Sequence, residues 1–278
     1  MRGVIVSLFL SIIFQVHANG YCIGKFELIN NMILVEAEVE ENLGYFIVDT
    51  GSPNLVLNQQ YFQGEKSDYM AQGINGSTNV MKRLVRKFEW GCVKKKNFTV
   101  YTVNLQHFEE AIGKPFFGLI GYEILKQKEL LIDYKNLKIE QHQLSKSDLH
   151  RMEDPSQEIR FRMSLHTPIL NLDLENQSVK FILDTGSEDN ILDNAYVSSD
   201  YKVTDLKFLV GVGQKSSLAR VVVIPNASLT DIAIDNQEYL VTNIEKSTAQ
   251  GILGSPALKE LNKFSINYRK KRIYVWAE

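Results

Sequence analysis

Two cysteines, six prolines and five histidines among 278 residues leave several chemistries without their materials. His17, His107, His142, His150 and His166 show no ligand spacing, and neither HExxH nor CxxC occurs, so no metal site is predicted. No Gly-x-Ser-x-Gly turn presents a nucleophilic serine. Gly211-Val212-Gly213 is a fragment of a nucleotide loop at most, with no helical pattern after it, and no cofactor is expected. Long basic runs are missing too. Lys94-Lys95-Lys96 and the RKKR at 269–272 read as solvated faces, and 31 Lys+Arg against 33 Asp+Glu leave a net charge of −2. Nothing in that balance favours a nucleic-acid partner.

Only one long apolar run is present, residues 4–14 (VIVSLFLSIIF). It falls short of the ~20 residues that a spanning helix needs. Arg2 precedes it, and Val16-His17-Ala18 offers small residues for a peptidase. Residues 1–18 therefore read as a signal peptide cut after Ala18, in preference to an uncleaved anchor. The expected product is exported, secreted or periplasmic, with no membrane span in the mature chain. In an oxidising compartment Cys22 and Cys92 can pair, closing a loop worth about 4 kcal/mol; two buried thiols are the alternative, and the sequence leaves both open. Asn75, Asn97, Asn176 and Asn226 each head an Asn-x-Ser/Thr sequon.

What the chain does contain, it contains twice. Residues 46–52 read FIVDTGS and residues 181–187 read FILDTGS. Before each triplet stands an alternating apolar run (Ile33, Val35, Ala37, Val39; Ile169, Leu170, Leu172, Leu174), then a short polar turn, then a second apolar strand. That pattern predicts a hairpin leading into Asp-Thr-Gly. After each triplet comes Gly, two aliphatics and Gly: Gly118-Leu119-Ile120-Gly121 and Gly251-Ile252-Leu253-Gly254. A short helical stretch follows each, capped in the second copy by Ser255 and Pro256. Strand-like text ends both halves, at 129–134 and 137–139, then at 264–268 and 272–276. Residues 145–158 (SKSDLHRMEDPSQE) are polar, lack apolar periodicity and read as a linker. The domain reading is therefore a signal peptide (1–18), a first lobe (19–144), a linker (145–158) and a second lobe (159–278), all-β in class.

A lone Asp-Thr-Gly is weak evidence, because Asp and Gly favour any turn. Two copies with matched surroundings point to a shared site. If the loops meet, Asp49 and Asp184 lie side by side, cannot both ionise easily and share one proton. One is then a base while the other is an acid at the same pH, which hydrolysis by a directly attacking water requires. Glu188 and Asp189, just after the second loop, read either as solvated loop charges or as acids that raise the pair's apparent pKa.

These motifs resemble those of the aspartic proteases of the retropepsin and pepsin type. Asp49-Thr50-Gly51-Ser52-Pro53-Asn54-Leu55-Val56 is similar to the first active-site loop of pepsin-type enzymes, and Leu119-Ile120-Gly121 and Ile252-Leu253-Gly254 to the two aliphatics and Gly that buttress such loops. The resemblance spans roughly 26–139 and 160–275. It implies a bilobal all-β fold of two homologous, barrel-like lobes with a cleft between them. It implies that Asp49 and Asp184 hold the catalytic water, that Thr50 and Thr185 bond across the interface, and that Gly51, Ser52, Gly186 and Ser187 support the loops. Glycine-rich hairpins of the kind that cover substrate are expected at Gly73-Ile74-Asn75-Gly76 and at Gly211-Val212-Gly213, with one or both working as flaps. No aromatic stands between 73 and 80, where pepsin-type flaps carry a Tyr; Tyr69 lies just outside. Residues 19–24 leave no room for the long prosegment of pepsin-type zymogens, so no such removal is expected. The function so implied is an aspartic endopeptidase, monomeric, acting on peptide or unfolded protein in extended conformation. The competing reading is a non-catalytic peptide-binding module on the same fold.

Overall fold

The computed structural model describes residues 14–17, 20–74, 76–144, 149–175, 177–211, 216–244 and 247–276. Most of the expected signal peptide, residues 145–148 of the expected linker, and the sequon residues Asn75 and Asn176 lie outside them. Strand dominates, and among the described residues no helix is long and apolar enough to cross a membrane.

The alternating runs form the hairpins that they predict. Met32–Val39 pairs antiparallel with Asn42–Val48, with Val35 opposite Phe46 and Leu34 opposite Ile47. The two-residue turn is Glu40-Glu41, with φ of 49° and 69°. Hairpin turns of this hand favour Asn or Gly. Glu40 is held there by its neighbours: its carboxylate accepts from the Arg83 guanidinium at 2.7 Å and from the Arg86 N–H at 3.1 Å. In the second half Thr167–Leu174 pairs with Gln177–Leu183, Ile169 opposite Ile182, around a turn that opens on Glu175 (φ 49°).

Each hairpin's second strand then gains a parallel neighbour from far downstream. Phe116–Ile120 lies beside Asn42–Val48 with Ile120 opposite Val48, and Gly251–Leu253 lies beside Gln177–Leu183 with Leu253 opposite Leu183. On its other side each newcomer pairs antiparallel with the strand following the Asp-Thr-Gly loop: Leu119 with Val56, Ile252 with Ile191. Gly118 is required by this threading. Its φ is 154°, and a Cβ there would lie 1.9 Å from the Val56 carbonyl oxygen.

Three sheets result. Strands between residues 27 and 120 make an eight-stranded sheet, and strands between 162 and 253 a ten-stranded one. The third has seven strands and draws on both halves, in the order Gln15–Val16, Cys22–Lys25, Lys138–His142, Glu129–Asp133, Lys263–Asn267, Arg272–Trp276, Gln157–Arg160. Its middle seam joins Glu129–Asp133 to Lys263–Asn267. Glu129, buried at the seam, accepts from the Ser265 hydroxyl at 2.7 Å and the Asn267 amide at 2.6 Å, and its other contact is His150 Nε2 at 2.7 Å. A buried carboxylate is tolerated only with partners of this kind. Cys22 and Cys92 form a disulfide, Cα–Cα 5.7 Å, tying this sheet to the turn between Gly76–Trp90 and Val93–Val103.

Two segments depart from expectation. Within the expected linker, Leu149–Met152 is a helical turn, and Gln157 already begins a strand. Leu149 packs with Leu131, Tyr274 and Trp276, and His150 adds contacts with Glu129, Tyr274 and Trp276, so no periodic pattern marks the turn. Helix Gln106–Ile112 was also invisible as a repeat element. It is ended by Gly113 in the left-handed region (φ 71°) and packs Phe108 and Ile112 against Phe116 and Leu119.

Candidate active site

The two Asp-Thr-Gly loops meet. Each aspartate is positioned from behind by the parallel strand: the Asp49 N–H donates to the Ile120 carbonyl and the Asp184 N–H to the Leu253 carbonyl, both at 3.0 Å. Gly121 and Gly254 allow the loops to fold back on these strands. A Cβ on Gly121 would come within 2.3 Å of the Asn54 carbonyl oxygen, and one on Gly254 within 2.3 Å of that of Asp189. The Tyr122 N–H then donates to the Ser52 carbonyl (2.9 Å) and the Ser255 N–H to the Ser187 carbonyl (3.0 Å). Ser52 and Ser187 each close their own loop through the hydroxyl, onto the carbonyls of Asn54 and Asp189.

Between the loops run four reciprocal hydrogen bonds. The Thr50 hydroxyl donates to the Leu183 carbonyl (2.7 Å) and accepts from the Thr185 N–H (3.0 Å). The Thr185 hydroxyl donates to the Val48 carbonyl (2.6 Å) and accepts from the Thr50 N–H (3.2 Å). Both threonines are fully buried. Each hydroxyl uses its donor and one acceptor site, leaving no orphaned backbone group at the junction.

The glycines are interlocked in the same way. A Cβ on Gly51 would sit 2.5 Å from the Asp184 carboxyl, and a Cβ on Gly186 would sit 2.6 Å from the Asp49 carboxyl carbon. Each carboxyl thus occupies the space that a side chain on the opposite loop would fill.

The two acids are not equivalent. Burial, then the neighbouring Asp184 charge, holds Asp49 well above the ordinary carboxyl range. Burial raises Asp184 as well, but N–H groups of Gly186, Gly51 and Ser187 and the bond from Asp49 oppose it. More donors favour the charged form. Both carboxyls are thus held above the ordinary range, and the pair titrates as a unit. Candidate contributors to that rise, Glu188 and Asp189, are not its main source. Asp189 instead lies 3.8 Å from the Lys207 ammonium, and burial of the pair itself dominates.

Gly73 and Gly76 pair at the tip of the hairpin Glu65–Gly73 and Gly76–Trp90. Ile74 at that tip packs, with Ile244 and Ile252, against the buried apolar cluster of Ile191, Leu209, Ala219, Val221 and Leu240 in the other half. The second glycine stretch falls at the tip of Val203–Val210 and Ser216–Ile224, closed by the pair Val210 and Ser216. Gly211 is described; Val212, Gly213 and, in the first hairpin, Asn75 lie outside the described residues. Tyr69 is not at the tip: it is 57% exposed, with its ring 5.8 Å from that of Tyr101.

Two supporting residues carry no sequence signal of their own. The Asn190 side chain accepts from the Gly254 N–H (3.0 Å) and donates to the Glu238 carbonyl (3.1 Å), fixing the second loop's buttress. Tyr268 is buried among Tyr122 and Phe161, and its hydroxyl is raised by burial and, secondarily, by the Asp49 charge. Only the fold brings 190 to 254, or 268 to the pair.

A family model described as aspartyl protease matches residues 170–257. That stretch holds the second Asp-Thr-Gly loop, most of its hairpin and its Gly-aliphatic-Gly buttress. No curated protein matches the chain.

Proposed function

We propose that the chain is an aspartic endopeptidase built as two retropepsin-like lobes, 19–144 and 159–278, with the substrate cleft between them and Asp49 and Asp184 at its floor. The observation that carries this reading is the reciprocal packing of each carboxyl into the space above the opposite loop's glycine. A plain turn has no need of that arrangement.

In this reading a water lies between the two carboxyls. Asp184, anionic, takes a proton from it as it attacks the scissile carbonyl carbon. Asp49 donates its proton to the carbonyl oxygen, giving a neutral tetrahedral gem-diol. In the collapse Asp184 gives its proton to the departing nitrogen, Asp49 takes one from a gem-diol hydroxyl, the C–N bond breaks and the carboxyl product forms, with no covalent enzyme intermediate. The substrate enters extended beneath the Gly73–Gly76 hairpin, where backbone hydrogen bonding suits any sequence and side-chain pockets supply choice. The protein is read as exported and monomeric.

Digestion of a peptide library across pH 3–8, with and without pepstatin, tests the activity. Asp49→Asn and Asp184→Asn should each abolish cleavage while keeping the wild-type circular dichroism spectrum. Full activity in either variant refutes the dyad.

A further inference from the structure

The repeat extends behind the loops, to one phenylalanine and one tyrosine in each half. Tyr134 follows the strand Glu129–Asp133 and Tyr268 follows Lys263–Asn267, the two strands of the seam. Phe26 donates its N–H to the Leu137 carbonyl, and Phe161 donates its own to that of Lys271. The ring of Phe26 stands edge-on to Tyr134 at 5.8 Å, and that of Phe161 edge-on to Tyr268 at 5.9 Å. Both tyrosines are buried, and neither hydroxyl completes a hydrogen bond among the described residues.

The copies differ in what meets the phenol. Beside Tyr134 is Ser255, the residue after Gly254, whose hydroxyl donates to the Thr185 carbonyl at 3.1 Å. Beside Tyr268 is Tyr122, the residue after Gly121, with the ring centroids 5.1 Å apart. From there the path to a carboxyl is short. The Tyr122 N–H donates to the Ser52 carbonyl, and the Ser52 N–H donates to Asp49 Oδ1, both at 2.9 Å. Burial, then the charges of Asp49, Tyr122 and Asp184, oppose ionisation of Tyr268, whereas Tyr134 feels only burial and Ser255. Two further titratable groups lie against the Tyr122 ring: His166, stacked at 5.2 Å, and the Lys126 ammonium, 4.9 Å from the centroid.

We propose that Tyr268 is a positioning residue for the carboxyl pair: its hydroxyl, bonded to no fixed acceptor, turns its hydrogen toward the negative charge and steadies the singly ionised state of Asp49 and Asp184. The proposal rests on the dyad of the endopeptidase reading above. A buried hydroxyl without a fixed partner rotates about its C–O bond, so a nearby charge orients it. In a water-poor interior that attraction is little screened. It favours the ionised pair and does nothing for the neutral one. The support comes from one side only, because Tyr134, the pseudo-symmetric phenol, has Ser255 beside it instead of the carboxyls. The pair thereby keeps the single charge that water activation needs to a lower pH than the two carboxyls would alone.

Tyr268→Phe keeps the ring and deletes the hydroxyl, and Tyr134→Phe is the matched control. Each loses a hydroxyl with no completed hydrogen bond, so each should keep the wild-type circular dichroism spectrum. Carbon-13 carboxyl resonances of aspartate-labelled protein, assigned by their loss in Asp49→Asn and Asp184→Asn, report the pair's titration without any substrate. In Tyr268→Phe the lower apparent pKa should rise by about 0.5–1 unit. The acidic limb of kcat/KM should move up with it. Tyr134→Phe should move neither. A Tyr268→Phe titration that overlays wild type or moves downward overturns the proposal, and so does an equal rise in Tyr134→Phe. Loss of the fold in Tyr268→Phe would show a structural hydroxyl and overturns it too. If the wild type cleaves nothing and the carboxyl titration still rises in Tyr268→Phe, the positioning role stands and the endopeptidase reading falls. If the wild type cleaves and the titration does not rise, the positioning role falls alone.

Discussion

Replacing Thr50 by Val removes one hydroxyl with almost no change of shape. Two buried backbone groups lose their partner: the Leu183 carbonyl, which accepts from the hydroxyl at 2.7 Å, and the Thr185 N–H, which donates to it at 3.0 Å. Thr50 is 0% exposed, so water does not take over either role. Each orphaned buried group costs about 1–3 kcal/mol, giving roughly 2–6 kcal/mol for the pair. For a chain of this size that corresponds to a fall in Tm on the order of 10 °C. Thr50→Ser keeps the hydroxyl and should recover most of the loss. Urea titration followed by tryptophan fluorescence measures both, through a lower midpoint at unchanged slope. The reciprocal variant, Thr185→Val, should behave alike, since it orphans the Val48 carbonyl and the Thr50 N–H. A Thr50→Val protein within ~0.5 kcal/mol of wild type would show that the hydroxyl network does not join the loops, because exposed substitutions alone stay within that range.

Stability should also depend on pH through the aspartate pair. The folded-state pKa of Asp49 lies above its ordinary value of 3.8, so the folded protein binds the proton more tightly than the unfolded chain does. The stabilisation is full below that ordinary value and is lost as pH rises through the raised folded pKa. Asp49→Asn, which never ionises, should therefore gain Tm relative to wild type at pH 7 and show little gain at pH 3; thermal melts at both pH values check the sign, and an equal gain at both refutes it. Cys22→Ser should cost about 4 kcal/mol under non-reducing conditions, because the 70-residue separation sets the chain entropy that the Cys22–Cys92 bond removes. Dithiothreitol should lower the wild-type Tm by a similar amount and leave the variant unchanged.

The parts of this fold that sequence made legible are those where one local rule sufficed. Alternation at Ile33, Val35, Ala37 and Val39 announced a strand because that face is buried throughout, while the other face turns polar and half-buried at Glu36 and Glu38 after the buried Met32 and Leu34. Asp-Thr-Gly and Gly-aliphatic-Gly were readable because the spaces around Gly51, Gly121, Gly186 and Gly254 admit no side chain, which forces the residue type. Other features were set by long-range partners and left no local trace. Glu40 adopts a turn conformation suited to Asn or Gly because Arg83 and Arg86 bind it from 43 and 46 residues away. Leu149 docks a helical turn from within a polar stretch, through contacts with 131, 274 and 276. The difference between Asp49 and Asp184 is also tertiary, since it follows from how many N–H groups each carboxyl meets in the assembled loops.

The seam in the seven-stranded sheet bears on how the site depends on dilution. Leu130 faces Ile266 and Ile132 faces Phe264 across it, and Glu129 is buried only because Ser265, Asn267 and His150 arrive from later in the same chain. Closing the seam is thus a first-order event, governed by an effective concentration that the tether fixes rather than by the amount of protein in solution. A dyad shared between two separate chains would thin out as the chains dissociate. Here specific activity should be the same at nanomolar and at micromolar protein.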